Sequence, residues 1–251
     1  MVRRQSFRWI LLVISITAFI ILLINLSWWK VTLHFFFPSQ IQVIYPSNSL
    51  LSLVARHLEL VLISSCLTVL IGVPLGIWVT RPSGIEFQPI VNDLTSLGQT
   101  FPPVAVLALA VPLFGFGLVP TVIALFLYGL LPVIRNTIAG IRSVPVSLVD
   151  AAYGMGMSRF QALIQVELPM AYRVILAGIR ISIVINVGTA MIGAVIGAGG
   201  LGSPIIAGLV QLNTAYVIEG AVPAAILAIL IDQFLANIES SFAYSAQTQM
   251  A

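Results

Sequence analysis

Residues 150–169 read DAAYGMGMSRFQALIQVELP. The stretch holds Asp150, Arg159, Gln161, Gln165 and Glu167 and closes on Pro169, in a chain of which only 8% of residues are charged. On either side, at about 118–138 and 171–197, lie apolar runs long enough to cross a bilayer. A polar segment between two spans has to sit outside the hydrocarbon, so its reading decides how the chain is threaded.

Its local signals are specific. Ser147-Leu-Val-Asp150 has the Ser-x-x-acid form of a capping box and predicts a short helix from Leu148. Gly156 can adopt the left-handed conformation that ends helices, so this helix should stop near it. Ser158-Arg-Phe-Gln161 repeats the capping device and predicts a second helix to about Glu167, with Pro169 opening the next span. Ala151 and Ala152 keep one side of the first helix thin, and Leu148, Ala152 and Met155 give it an apolar stripe. A thin helical protrusion of this kind fits another protein's groove, and it also fits a hairpin folded back on its own membrane domain.

Working outward, 59% hydrophobic residues among 251 and a mean hydropathy of +1.10 identify an integral membrane protein. A spanning helix needs roughly 20 apolar residues to cross about 30 Å of hydrocarbon. Runs of that kind fall at about 9–28, 52–79, 94–114, 118–138, 171–197 and 216–236, which predicts an all-α polytopic protein with six spans. The first could pass for a signal peptide, but its length and the following Trp28-Trp29-Lys30 belt, with no small-residue cleavage site before it, predict a retained helix.

A pI near 9.4 in a soluble chain would suggest nucleic acid; here the basic residues are thin over the loops and set topology instead, so no nucleic-acid partner is expected. With the amino terminus inside, Arg3, Arg4, Arg8, Arg81, Arg135, Arg142, Arg159 and Arg173 fall on the cytoplasmic side and only Lys30 and Arg56 outside. The positive-inside rule then puts both termini and the segment 150–169 in the cytoplasm.

Breakers mark special places within the spans. Pro102, Pro103 and Pro112 predict a broken or kinked third span. Gly193, Gly197, Gly199, Gly200 and Gly202 cluster at the outer end of the fifth; they read either as close packing or as a bent gate segment formed by Gly199, Gly200 and Gly202.

Energy and chemistry are harder to find. The only lysine is Lys30, preceded by Trp29, so no phosphate-binding loop of the Gly-x-x-x-x-Gly-Lys-Ser/Thr type exists in this sequence. His34, His57 and the lone Cys66 lack metal-ligand spacing, and no nucleophile–base constellation is apparent, so a non-enzymatic chain without a cofactor or metal of its own is expected. Arg180 lies inside the fifth span, where an arginine needs a partner or a route to water; it shares a face with Arg173 at i, i+7, which favours snorkelling to the interface over a partner. Asp232 and Glu239 read as interfacial or solvated, and Arg56, His57 and Glu59 as a solvated helix end in preference to a contact for an external protein. Tyr128, Ser182, Asn186 and Thr189 form a deeper polar set that either lines a translocation path or bonds between helices.

The row Asp150, Ala151, Ala152, Gly156, Val166, Leu168 and Pro169 resembles the signature of permease subunits of ATP-binding-cassette importers: Glu-Ala-Ala, three residues, Gly, nine residues, Ile, one residue, Leu-Pro. Asp replaces Glu, Val replaces Ile, and the spacing is intact. Over about residues 50–240, stretches such as GQTFPPVAVLALAVPLFGFG and AGIRISIVINVGTAMIGAVIGAGGLG resemble the branch that carries glycine betaine, choline and carnitine.

That resemblance implies a coupling helix at 147–169 seated in a separate ATPase, which binds ATP and Mg. It implies a second permease subunit, an extracytoplasmic substrate-binding protein and the bacterial inner membrane. It also implies a division into residues 1–50 (an extra helix and external loop), a five-helix core over 51–240 and a cytoplasmic tail over 241–251. Another cargo, methionine or an organosulfonate, stays open, as does an ion-gradient-driven transporter.

Overall fold

The computed structural model describes residues 2–248, and the side chains of residues 6–241. Every regular element among them is helical, in the order α1 (Val2–Ile24), α2 (Leu26–Phe36), α3 (Leu50–Trp78), α4 (Gln88–Thr100), α5 (Pro103–Phe114), α6 (Leu118–Arg142), α7 (Val146–Gly154), α8 (Arg159–Ala162), α9 (Leu168–Thr189), α10 (Gly202–Gln211) and α11 (Thr214–Thr248). Five stretches are long and apolar enough to span a membrane: Ser6–Ile24, Leu50–Trp78, Leu118–Arg142, Arg159–Ile196 and Thr214–Ser241. The sixth expected span is α4 and α5, bent by 96°. The bend falls at Phe101-Pro102, where Pro103 has no N–H to continue the ladder of α4, so the third span is broken as its prolines predict.

The centre of the bundle is α3, α6 and α9. Small residues set their approach: a Cβ on Gly76 of α3 would lie 2.7 Å from Thr137 of α6, and one on Gly178 of α9 only 2.4 Å from Asn136. Without a hydrophobic force between helices in lipid, such contacts give the van der Waals area that holds the three together.

Helix α1 runs against α11, with Trp9 edge-on to Phe234 at 6.1 Å and Asn237 donating to the Arg8 carbonyl. Asn25 caps α2 through the Trp28 N–H, and Trp29, expected in an interfacial belt, is instead 3% exposed in a core cluster with Leu12, Leu33 and Leu53. Its indole N–H reaches the Leu22 carbonyl at 2.9 Å, which satisfies its one polar atom. The loop after α2 is tied to α11 where Asn213 donates to the Gln42 carbonyl at 2.7 Å and the Tyr45 N–H to buried Glu219 at 2.7 Å. Helices α1 and α2 therefore pack along the bundle, and the loop that follows them is tied to the start of α11. Of the tail at 241–251, α11 extends to Thr248, and 249–251 lie outside the described residues.

Candidate coupling site and solute path

The hairpin 146–162 differs from expectation at its start. Ser147 caps nothing: α7 begins at Val146, and Pro145, at φ −58° and ψ 131°, is its N-cap without a side-chain bond. The proline ring fixes an extended residue whose carbonyl accepts the first helical N–H, from Leu148 at 3.0 Å. Ser147 and Asp150 are thereby inside the helix, too late for a capping box.

The end of α7 follows its sequence. Gly156 has φ +84°, its N–H bonds to the Tyr153 carbonyl at 2.9 Å and the Met157 N–H to Ala152 at 3.1 Å. This is a Schellman turn, which requires a left-handed residue at that position. The second capping box is complete: the Ser158 hydroxyl accepts from the Gln161 N–H at 3.3 Å, and Gln161 accepts from the Ser158 N–H at 2.8 Å.

Beyond Ala162 the helix does not stop. Leu163–Glu167 form a turn of π-helix that runs directly into α9. Pro169 cannot donate to residue 165 and its ring crowds that carbonyl; the widened turn just before it absorbs both defects while the helix continues. So α8 and α9 form one rod from Arg159 to Ile196, rather than a helix ending near Glu167 and a new one starting at Pro169.

Ala152 and Ala162 are fully buried, and the two short helices pack on one another. The stripe of Leu148, Ala152 and Met155 is split: Ala152 faces inward, while Leu148 and Met155 join Val146, Tyr153 and Phe160 as exposed apolar side chains at the tip. Asp150, Ala151, Gly156 and Pro169 are exposed and Leu168 half-buried. Behind the tip, Arg81, just past α3, grips Glu167 with two bonds of 2.9 and 2.5 Å. Glu167 is 4% exposed. This joint links the end of one span to the foot of another and was missed in the sequence, where an acid ahead of Leu168-Pro169 was a signal without a visible partner.

The deeper polar set divides. Ser182 and Asn186 are fully buried; the Asn186 amide donates to Ser64 and Ser65 of α3 at 3.3 Å each. They close around Gly129 of α6, whose missing Cβ would lie 2.5 Å from the Ser182 hydroxyl. Tyr128 is held elsewhere, its hydroxyl donating to the Phe101 carbonyl at the α4–α5 bend. Thr189 is half-buried near the end of α9.

The glycine segment forms a tight return. Residues Ala190–Ile196 are 3-10 helix, Gly197, Gly199 and Gly200 have positive φ, and Gly202 starts α10 so close to Met191 that a Cβ would lie 2.1 Å from its carbonyl oxygen. Helix α3 plugs this turn. Arg56 donates to the Ala198 carbonyl at 2.9 Å, and His57, 0% exposed, contacts the Val187 carbonyl at 2.9 Å. His57 is therefore part of the interior and not of a solvated helix end; only Arg56 and Glu59, paired at 2.7 Å, retain exposure.

Arg180 does not snorkel. It grips Asp232 of α11 with bonds of 2.7 and 2.8 Å and reaches Glu239 at 3.4 Å. Asp232 and Glu239 lie on one face of α11 at i, i+7, a signal present in the sequence but weighed there residue by residue. Among the described residues no three His, Cys, Asp or Glu side chains gather as metal ligands.

Comparison with known proteins adds a family. Residues 72–244 match the model of the binding-protein-dependent transport system inner membrane component. The chain is 42% identical over 224 residues, 89% of its length and 92% of the relative's, to the osmoprotectant import permease protein OsmY of Salmonella typhimurium. It is 43% identical to the choline transport system permease protein OpuBB of Bacillus subtilis, over 73% of this chain and 84% of that one. Among solved structures, an inward-facing MetNI methionine ABC transporter aligns with TM-score 0.68 at 24% identity, covering 77% of this chain and 95% of that one; at that identity the likeness concerns the fold.

Proposed function

Because this chain belongs to the family of binding-protein-dependent transport system inner membrane components, we propose that it is the membrane-spanning permease of an importer for quaternary-ammonium osmoprotectants such as glycine betaine and choline. Two permeases enclose the solute pathway, an external binding protein delivers the solute, and a separate ATPase, which holds ATP and Mg, docks on Asp150–Pro169. Both termini and the hairpin face the cytoplasm. Residues 51–240 form the transporting core, and the segment 1–50 anchors and covers it.

The observation that carries this reading is the hairpin tip. Val146, Met155 and Phe160 are each more than 70% exposed on a capped, polar hairpin at the end of the bundle where Arg81, Arg142 and Arg159 lie. Apolar side chains at a wet end of a membrane protein, unlike those along its spans, have no lipid to face and call for a protein partner. The resemblance of Asp150, Ala151, Ala152, Gly156, Leu168 and Pro169 to the signature of ATP-binding-cassette permeases supports an ATPase as that partner. The osmoprotectant cargo is supported by the relatives' names; the methionine transporter resembles this chain at the level of fold.

Two measurements test the proposal. Met155→Asp with Phe160→Asp should abolish co-purification of the ATPase while membrane insertion and melting temperature stay near wild type. Uptake by the complete transporter in vesicles should be competed by choline and glycine betaine and not by methionine; competition by methionine alone, or uptake by this chain with no nucleotide, would sink it.

A further inference from the structure

Arg180, Asp232 and Glu239 are neither buried nor fully exposed. Their side chains are 31%, 40% and 32% exposed, on the wall of a groove of about 380 Å³ between α9 and α11 that Ile181, Val184 and Ile185 also line. Arg180 stands 12 residues into α9, and Asp232 nine residues before the end of the span that closes at Ser241. At about 1.5 Å per residue Arg180 lies roughly 10 Å past Arg173 and Asp232 roughly 13 Å before Ser241, both within their spans, with Glu239 nearer the cytoplasmic end. An ionised side chain there turns toward a bundle interior or a water-filled cavity, because hydrocarbon cannot solvate it. The three charged side chains on its wall therefore call for water or a protein partner on the other side of the groove rather than lipid.

We infer that this groove faces the solute pathway and forms its inner portion, water-filled, with a subsite for the ammonium end of the cargo. The inference rests on the osmoprotectant reading for the identity of that cargo, and on geometry alone for the wet groove. The charges sum to −1: Arg180 against Asp232 and Glu239. The guanidinium spends Nε and one terminal nitrogen on Asp232 at 2.7 and 2.8 Å and meets Glu239 only at 3.4 Å. Glu239 is thus the less satisfied acid and the one free to turn to a passing cation. A quaternary ammonium has no N–H to donate; it is held by diffuse charge and by methyl contacts, and Glu239, in one groove with Ile181, Val184 and Ile185, supplies that combination. Choline brings a whole positive charge to this site. Glycine betaine also brings a carboxylate, which the surplus acid repels and the neutralised Arg180 does not offset, so Glu239 discriminates in favour of the cation.

The complete transporter, reconstituted with its ATPase and binding protein, provides two separable arms. In a Cys66→Ser background, Val184→Cys or Ile185→Cys should react with a membrane-impermeant maleimide applied from the cytoplasmic side. Reaction only with a lipid-soluble reagent would show a lipid-facing groove, and no reaction with either a dry subunit contact; both overturn the wet groove whatever the cargo. In the second arm, Glu239→Gln should lower choline flux relative to glycine betaine flux about five- to tenfold at saturating loaded binding protein, the attraction of one charge pair near 4 Å in a water-rich site. An equal fall for both solutes, or none, overturns the subsite, with Glu239→Asp rescuing the ratio if charge is the cause. Failure of the wild type to carry either solute would refute the osmoprotectant reading and leave the labelling arm standing.

Discussion

The joint between Arg81 and Glu167 is where the proposed coupling can be broken without touching the ATPase surface. Glu167 is the last residue of the π-turn and 4% exposed; its two oxygens are held by Arg81 at 2.9 and 2.5 Å. Removing one partner of a fully buried pair costs about 3–5 kcal/mol because the other charge is left uncompensated. The Arg81 side chain is 24% exposed, so water reaches the site and Arg81→Ala should cost about 2–3 kcal/mol, at or just below the lower end of that range. Glu167→Gln keeps an acceptor and leaves the partly hydrated arginine, and should cost about 1.5–2 kcal/mol, the low end of the value of a charged hydrogen bond.

The hairpin itself should survive, because Val149, Leu163 and Leu168 still pack on Ile141, Val144 and Ile175. What is lost is its fixed relation to α3. In vesicles holding the complete transporter, solute moved per ATP hydrolysed should fall at least tenfold in Arg81→Ala, while ATPase turnover continues. The exchange Arg81→Glu with Glu167→Arg should recover a substantial part of the ratio. The reasoning is refuted if both single variants transport with unaltered stoichiometry, or if ATPase activity falls in step with transport, which would mark a simple loss of folding.

Other consequences are more local. Ser158→Ala removes one half of the reciprocal cap and should cost about 1 kcal/mol, seen as faster hydrogen exchange confined to residues 158–163. Gly178→Leu forces a side chain against Asn136, where even a Cβ would sit at 2.4 Å; overpacking of this order costs about 1–3 kcal/mol or more and should lower the melting temperature of the purified protein. Asn213→Ala removes the tie to the Gln42 carbonyl and the cap on the Ala215 N–H, a loss of about 1–2 kcal/mol; protease should then cut within residues 37–49 much faster than in wild type, with ATPase binding unchanged.

What the sequence disclosed depends on the range of the interaction that decides each feature. The six apolar runs, the break at Pro102-Pro103, the glycine turn at 156 and the Ser158–Gln161 box are each decided within a few residues, and each is found where its pattern falls. The Ser147–Asp150 box had the right pattern, but Pro145 two residues earlier had already fixed the helix start, so a stronger local constraint overrode a weaker one. Arg180, Asp232 and Glu239 are settled between helices, at sequence separations of 52 and 59 residues, and so are Arg81 and Glu167 at 86. A stripe containing Ser182 and Asn186 reveals a polar helix face but not which neighbour it meets. That neighbour is α3 with its Ser64 and Ser65, admitted by the missing side chain of Gly129.

The continuity of α8 with α9 gives the proposed coupling its mechanics. Had the second short helix ended near Glu167, a pull on the hairpin would be absorbed in a flexible link. Instead one rod runs from Arg159 to Ile196, with a π-turn in place of a break and a charged clamp at its foot. A rod of 29 residues beyond Glu167 is about 44 Å long at 1.5 Å per residue, so a tilt of about 10° about that foot moves its far end by roughly 8 Å and Arg180, less than halfway along, by roughly 3 Å. The nearer displacement is enough to part Arg180 from Glu239, already at 3.4 Å, before the shorter bonds to Asp232 give way. The farther one falls on the turn at 197–200, where Arg56 holds Ala198, and about 5 Å reaches Val187, where His57 holds the rod to α3. Movement at the hairpin is thus delivered first to the charged groove and then, amplified, to the glycine turn, and substitutions at His57 should alter transport without altering ATPase docking.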